Sequence, residues 1–173
     1  VWCPDVGVKV KSFSLNSLQT LRLSVTEESR PIISTDGNLI SIRKRFLDTM
    51  RCLSWSPDCK TLAIGVSGGD LGFVCIVDNA GTEKATWATG TDHVQSIAYS
   101  PNGQMIATGS HDNSVGVWDA VSGASLWKVQ CHTGSVNCVA WSLDSLMVAS
   151  ASNDSCIRIC DASNGQLKST LRG

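Results

Sequence analysis

The sequence predicts an all-β fold made by copying one four-stranded unit in tandem. Three observations carry that expectation. A stretch ending in an aromatic residue and serine recurs, with Ser56, Ser100 and Ser142 separated by 44 and 42 residues. The apolar residues alternate with period two in runs of strand length, and no helical periodicity of any length is present. Gly, Asn, Asp and Pro bound those runs, as they bound strands joined by tight turns.

The copies align element by element. The first strand of each reads MRCLSWSP at Met50 to Pro57, VQSIAYSP at Val94 to Pro101 and VNCVAWSL at Val136 to Leu143. A polar turn follows at Asp58-Cys59-Lys60, Asn102-Gly103-Gln104 and Asp144-Ser145. The second strand covers Thr61 to Val66, Met105 to Ser110 and Met147 to Ser152. The third ends at Val77-Asp78, Trp118-Asp119 and Cys160-Asp161, and Gly81, Gly123 and Gly165 follow within four residues. A fourth, less regular segment completes each unit at Glu83 to Ala88, Ala124 to Val129 and Gln166 to Leu171. Stepping back 42 residues from Ser56 and Asp78 lands on Phe13-Ser14 and Asp36-Gly37, with Asn38 to Arg43 as the fourth segment. The N-terminal stretch is thus read as a degenerate first copy. A single four-stranded sheet cannot bury both faces, so neighbouring copies must supply the core.

Repeats of about 42 residues with aromatic-Ser-Pro-Asp/Asn, Ala-x-Gly-Ser and Trp-Asp resemble the WD-repeat β-propeller family. Ser100 to Asp119, SPNGQMIATGSHDNSVGVWD, is the fullest match; Cys160, Val77 and Thr35 replace its Trp in the other copies. The resemblance implies one propeller segment over 1–173, with four consecutive four-stranded blades of a larger or incomplete ring. Their approximate bounds are 8–49 (degenerate), 50–93, 94–135 and 136–173. The family usually closes with about seven blades. The chain opens on Val1 rather than Met. We therefore expect a fragment that continues past Gly173 and that is oligomeric or aggregation-prone alone, because its end blades leave strands and faces unpaired.

The resemblance also implies a buried polar network linking a loop His, a strand Ser or Thr, a turn Asp and the Trp. It maps onto His132, Ser150 and Asp154 in the fourth copy, and onto Thr108, Asp112 and Trp118 in the third, where Gly90 stands at the His position. The first two copies lack nearly all of it and are expected to be softer. His132, Ser150 and Asp154 also have the residue types of a catalytic triad, but their repeat register assigns them to holding a turn and a strand. Gly65 to Gly72 lacks the Lys-Ser/Thr ending of a phosphate loop and reads as a long, mobile connection.

Composition limits the function classes. The 173 residues carry 14 basic and 15 acidic side chains, a net charge of −1, which argues against a histone-like nucleic-acid binder. Hydrophobic residues at 42 % and charged residues at 17 % suit a globular chain. The longest clean apolar run, Phe73 to Val77, is far short of the roughly 18 residues of a membrane helix. The eight cysteines form no CxxC pair, so we expect reduced thiols in the cytoplasm or nucleus, with no metal site and no cofactor.

In the family, the loops joining strands two and three share one face with the blade-to-blade connections, and partners meet that face. Arg43, Lys44 and Arg45, with Arg51 nearby, form the densest basic cluster; residues 1–49 balance at +2 and the remainder at −3. They are candidates for contacting an acidic or phosphorylated protein or peptide. Trp127, in a fourth strand, is a candidate for an exposed adhesive contact, with packing as the reading weighed against it, whereas Trp87 reads as packed. The expected function is a non-enzymatic protein-interaction scaffold that also contacts the remaining blades of a longer chain. The alternatives are a cytoskeletal propeller, from the weak similarity of Ser54 to Asp78 to echinoderm microtubule-associated-protein-like propellers, or a regulatory propeller attached to a nucleotide-binding or catalytic domain elsewhere. Nucleic acid and membrane are not expected partners.

Overall fold

The structure, a computed structural model, describes residues 32–35, 38–41, 49–68 and 71–173. Every regular element among them is a strand. β1 (Ile32–Thr35) and β2 (Asn38–Ser41) form an antiparallel pair. Three four-stranded antiparallel sheets follow, each a simple meander. The first holds β3 (Thr49–Trp55), β4 (Thr61–Gly68), β5 (Leu71–Asp78) and β6 (Glu83–Thr91). The second holds β7 (Val94–Tyr99), β8 (Met105–Ser110), β9 (Val115–Asp119) and β10 (Ser125–Val129). The third holds β11 (Val136–Trp141), β12 (Met147–Ser152), β13 (Cys156–Asp161) and β14 (Leu167–Arg172). The all-β class and the four-stranded unit are as the sequence predicts. Phe13-Ser14 and most of the first copy lie outside the described residues.

The recurring serine closes the first turn of each sheet. Ser56, Ser100 and Ser142 each accept a bond from the first amide of the next strand, Thr61 N, Met105 N and Met147 N, all at 2.9 Å. Each serine hydroxyl also donates to the turn carboxylate or amide two residues on, as Ser56 does to Asp58 at 2.7 Å and Ser100 to Asn102 at 2.7 Å. The turn therefore satisfies its own polar groups and fixes the register of both strands. Its left-handed position recurs too, at Cys59 (φ 57°), Gly103 (φ 73°) and Ser145 (φ 61°).

Two of the three buried clusters sit between sheets, and the third, Val66, Cys75 and Val77, lies on the first sheet alone. Ala63, Val74 and Ile76 of the first sheet meet Ile97 and Ile106 of the second. Ala107, Val115 and Val117 of the second meet Val136, Val139 and Val148 of the third. The Gly of Ala-x-Gly-Ser permits that approach. A Cβ on Gly109 would lie 2.7 Å from Val136 Cγ1, and one on Gly65 would lie 2.9 Å from Val94 Cγ1. The first strand of one sheet thus rests on bare backbone of the preceding one. Cross-sheet bonds add to it: Tyr99 N donates to Ser54 Oγ at 3.0 Å, and Val139 N to Ser96 Oγ at 3.1 Å.

The structure corrects the reading of Gly65 to Gly72. β4 runs through Gly68 and β5 begins at Leu71, so only residues 69–70 join them. Gly65 and Gly72 are strand positions under a close neighbour. A Cβ on Gly72 would lie 2.8 Å from Thr89 Oγ1 and 3.0 Å from Val94 Cγ2.

Candidate interaction rim and the network behind it

The second and third sheets point their second turns toward one rim, and the connections between sheets are bonded to those turns. His111 N donates to His93 O at 3.0 Å, His132 N to Asn113 O at 3.3 Å, and Asn153 N to Ser135 O at 3.0 Å. The two full turns place Asn113 (φ 69°) and Ser155 (φ 60°) in the left-handed region at matching positions. The rim is therefore one hydrogen-bonded platform, with His111, Thr133, Asn137 and Asn153 exposed along it.

Behind the rim of the third sheet, the structure brings His132, Ser150 and Asp154 together. His132 Nε2 lies 2.8 Å from Ser150 Oγ, and Nδ1 lies 3.0 Å from Asp154 Oδ2. Nδ1 is shared between this carboxylate, which can only accept, and the Arg158 guanidinium, which can only donate. Thr133 N and Cys156 N also donate to this carboxylate, each at 3.0 Å. Arg158 completes the cluster: Nη1 donates to Asp154 Oδ2 at 2.7 Å and closes on His132 Nδ1. Burial opposes ionisation of Asp154, but Arg158, the Thr133 amide and His132 outweigh it and hold the carboxyl far below the usual range. The His132 side chain is 0 % exposed and Ser150 is 2 % exposed, so solvent has no open path to the hydroxyl.

In the second sheet Trp118 Nε1 donates to Thr108 Oγ1 at 2.9 Å, while Asp112 stands apart from both and caps its own turn through Ser114 N at 3.0 Å. The vacant His position is filled from another strand. Lys128 on β10 lays its ammonium over Gly90, donating to Asp112 Oδ2 at 2.9 Å and to Thr89 O at 3.0 Å. Burial raises the Asp112 carboxyl, but Ser114 and Lys128 more than offset this and lower it. Sequence reasoning missed Lys128 and Arg158. Both sit on strands outside the motif positions, and only cross-strand neighbours show that their heads reach the network.

Trp127 requires a correction. It is 8 % exposed, and its Nε1 donates to Ala162 O at 2.7 Å. Its ring lies under Gly165, whose φ of 72° and missing Cβ make room for it. Burial and a satisfied indole remove Trp127 as an adhesive surface. Arg51 is exposed on β3; Arg43, Lys44 and Arg45 lie outside the described residues. At the opposite edge, a groove of about 440 Å³ opens between the first two sheets, among Asp58, Lys84, Tyr99 and Asn102.

The sheet order, the serine turns and the Trp118–Thr108 bond match a known pattern. The model of the WD domain, G-beta repeat, matches residues 81–119 and 123–161. The chain carries WD repeats of the β-propeller family. Its sheets are blades of such a propeller. Actin-interacting protein 1-2 of Arabidopsis thaliana is 32 % identical over 136 residues, 78 % of this chain and 22 % of that protein. The U5 small nuclear ribonucleoprotein 40 kDa protein of Pongo abelii is 50 % identical over 40 residues, 23 % of this chain and 11 % of that protein. This chain therefore spans less than a quarter of either relative. Among solved structures, Chaetomium thermophilum Sqt1 bound to the N-terminus of ribosomal protein L10 aligns with a TM-score of 0.65 at 26 % identity, covering 72 % of this chain and 34 % of that one. The RRP9 WD40 repeats align with a TM-score of 0.66 at 20 % identity, covering 75 % and 40 %, and share the fold.

Proposed function

We propose that this segment is a non-enzymatic interaction module that holds a protein or peptide on the rim of its blades. The bonded rim is the observation that carries the reading: three bonds fasten two inter-blade connections to neighbouring turns and make a pre-ordered surface, which lowers the entropic cost of binding. The closed His132–Ser150–Asp154 cluster supports a holding role rather than turnover. A peptide ligand on a similar fold, as with Sqt1 and the L10 N-terminus, supports the partner class. Arg43, Lys44, Arg45 and Arg51 favour an acidic or phosphorylated stretch in that partner. A cytoplasmic or nuclear place belongs to the same proposal.

Photo-crosslinking residues installed at His111 and Asn153, against a control at Leu143, test it. Capture of one protein from the rim positions and not from Leu143 is expected. Capture only at Leu143, or turnover of a substrate abolished by His132→Ala in a folded protein, overturns it. A cytoskeletal role is the second reading, favoured by the similarity to a protein named for interacting with actin. Co-sedimentation with actin filaments, unaffected by changes at the rim, would put it first.

A further inference from the structure

We propose that the crossing from β6 to β7, residues 89–93, is a strained strap that the charge of Lys128 holds shut, so that removing this charge opens one stretch of the rim. The clasp follows from a gap in the repeat. The next crossing carries His132, whose side chain is 0 % exposed and reaches Ser150 and Asp154. This one has Gly90 at that position. A Cβ on Gly90 would overlap Lys128 Nζ, so the bare backbone is what admits the ammonium. Lys128 reaches in from β10 and joins the strap to the β8–β9 turn, donating to Thr89 O at 3.0 Å and to Asp112 Oδ2 at 2.9 Å.

The strap is under tension. Asp92 holds φ at 110°, whereas the other described non-glycine residues with positive φ lie at 57–69°. A residue held so far from the populated regions costs stability and persists only where its surroundings force it. Its carbonyl is pressed onto β5, where a Cβ on Gly72 would overlap Asp92 O. His93 Nδ1 is buried with no hydrogen-bond partner among the described residues, and such a group gains from reaching water. Against this strain stand ties that solvent can reach. Lys128 is one, its side chain 31 % exposed. His111 is the other: its amide donates to His93 O at 3.0 Å and its Nδ1 lies 2.8 Å from Asp92 Oδ2, with the side chain 56 % exposed. No strap residue belongs to a buried hydrophobic cluster, so the strap can lift while the sheets stay packed. An ion pair of this exposure shifts an equilibrium by up to about fivefold and is screened by salt.

Hydrogen–deuterium exchange of the full chain tests this, read over residues 89–93 and, as controls, over 130–135 and β8. Three samples are compared with the parent at low salt: Lys128→Met, the chain with Lys128 replaced by acetyl-lysine, and the parent in about 1 M sodium chloride. Each should exchange about threefold to fivefold faster over 89–93, with the controls unchanged. Unchanged exchange over 89–93 would overturn the proposal. So would acceleration in Lys128→Met alone, which makes the aliphatic stem the clasp, or acceleration shared with β8, which is loss of the fold rather than release of the strap. The exchange needs no partner, so its failure leaves the docking role of the rim standing, and the absence of a crosslinked partner leaves the strap standing.

Discussion

At the residue scale, this protein depends on polar side chains that are buried and paired. His132 spans from the strand hydroxyl of Ser150 to the turn carboxylate of Asp154. Removing it takes the ring partner from buried Ser150, while Asp154 keeps Arg158 and two amides; a buried polar group left without its partner costs about 1–3 kcal/mol. His132→Ala should lower the urea midpoint by that equivalent without changing the slope. The aspartates set the acid limit. Arg158 and the amides around Asp154 depress its folded pKa below the unfolded value of about 4, and the Lys84 ammonium and the Thr82 amide bring Asp78 to about 2. A depressed carboxylate stabilises fully above its unfolded pKa and loses that contribution as pH falls through the folded one. Melting temperature should therefore hold above about pH 5 and fall between about pH 4 and 2. Asp154→Asn should melt lower at neutral pH and show a shallower acid decline. Cys59 holds φ at 57°, where the second copy has Gly103. A left-handed L-residue costs about 1–2 kcal/mol, partly offset by the greater freedom of glycine in the unfolded chain. Cys59→Gly should thus stabilise by about 0.5–1 kcal/mol in equilibrium unfolding.

At the element scale, strand order and turn positions were legible in the sequence, because alternation and the serine–Asx turn are local. What the strands touch was less so. Counting from the turn glycine sets Trp127 at a different repeat position from Trp87, the one that Ser169 holds in the next copy, and leaves both packing and exposure open for it, whereas the structure gives Trp87 and Trp127 one job. The Trp87 ring lies under Gly123 (φ 70°) and the Trp127 ring under Gly165. They start from strand positions two residues apart, on the same face, and register shifts at Ser125/Trp127 and at Ile76/Val77 accompany them. A bulge moves register with no sequence mark of its own. Lys128 was hidden for a related reason: a side chain from β10 fills the place of a residue missing from the preceding connection. Trp127→Ala empties a site closed by Gly165 and Ala162, and should cost about 3–5 kcal/mol in equilibrium unfolding.

At the scale of the whole molecule, stability follows from stacking. The two larger core clusters join residues of adjacent blades, and the outermost strand β14 is exposed along its length. Repeats of this kind gain stability from nearest neighbours. The repeat period made that arrangement legible in advance; the contact that sets the spacing, a bare glycine beneath the next blade's valine, was not. A double-mutant cycle on Gly109 and Val136 probes that contact directly. Overpacking Gly109→Ala should cost about 1–3 kcal/mol alone. If the blades lean on each other there, adding Val136→Ala should return part of that loss, giving a double variant more stable than the two single costs sum to. Strictly additive costs at these two positions would contradict the stacked arrangement.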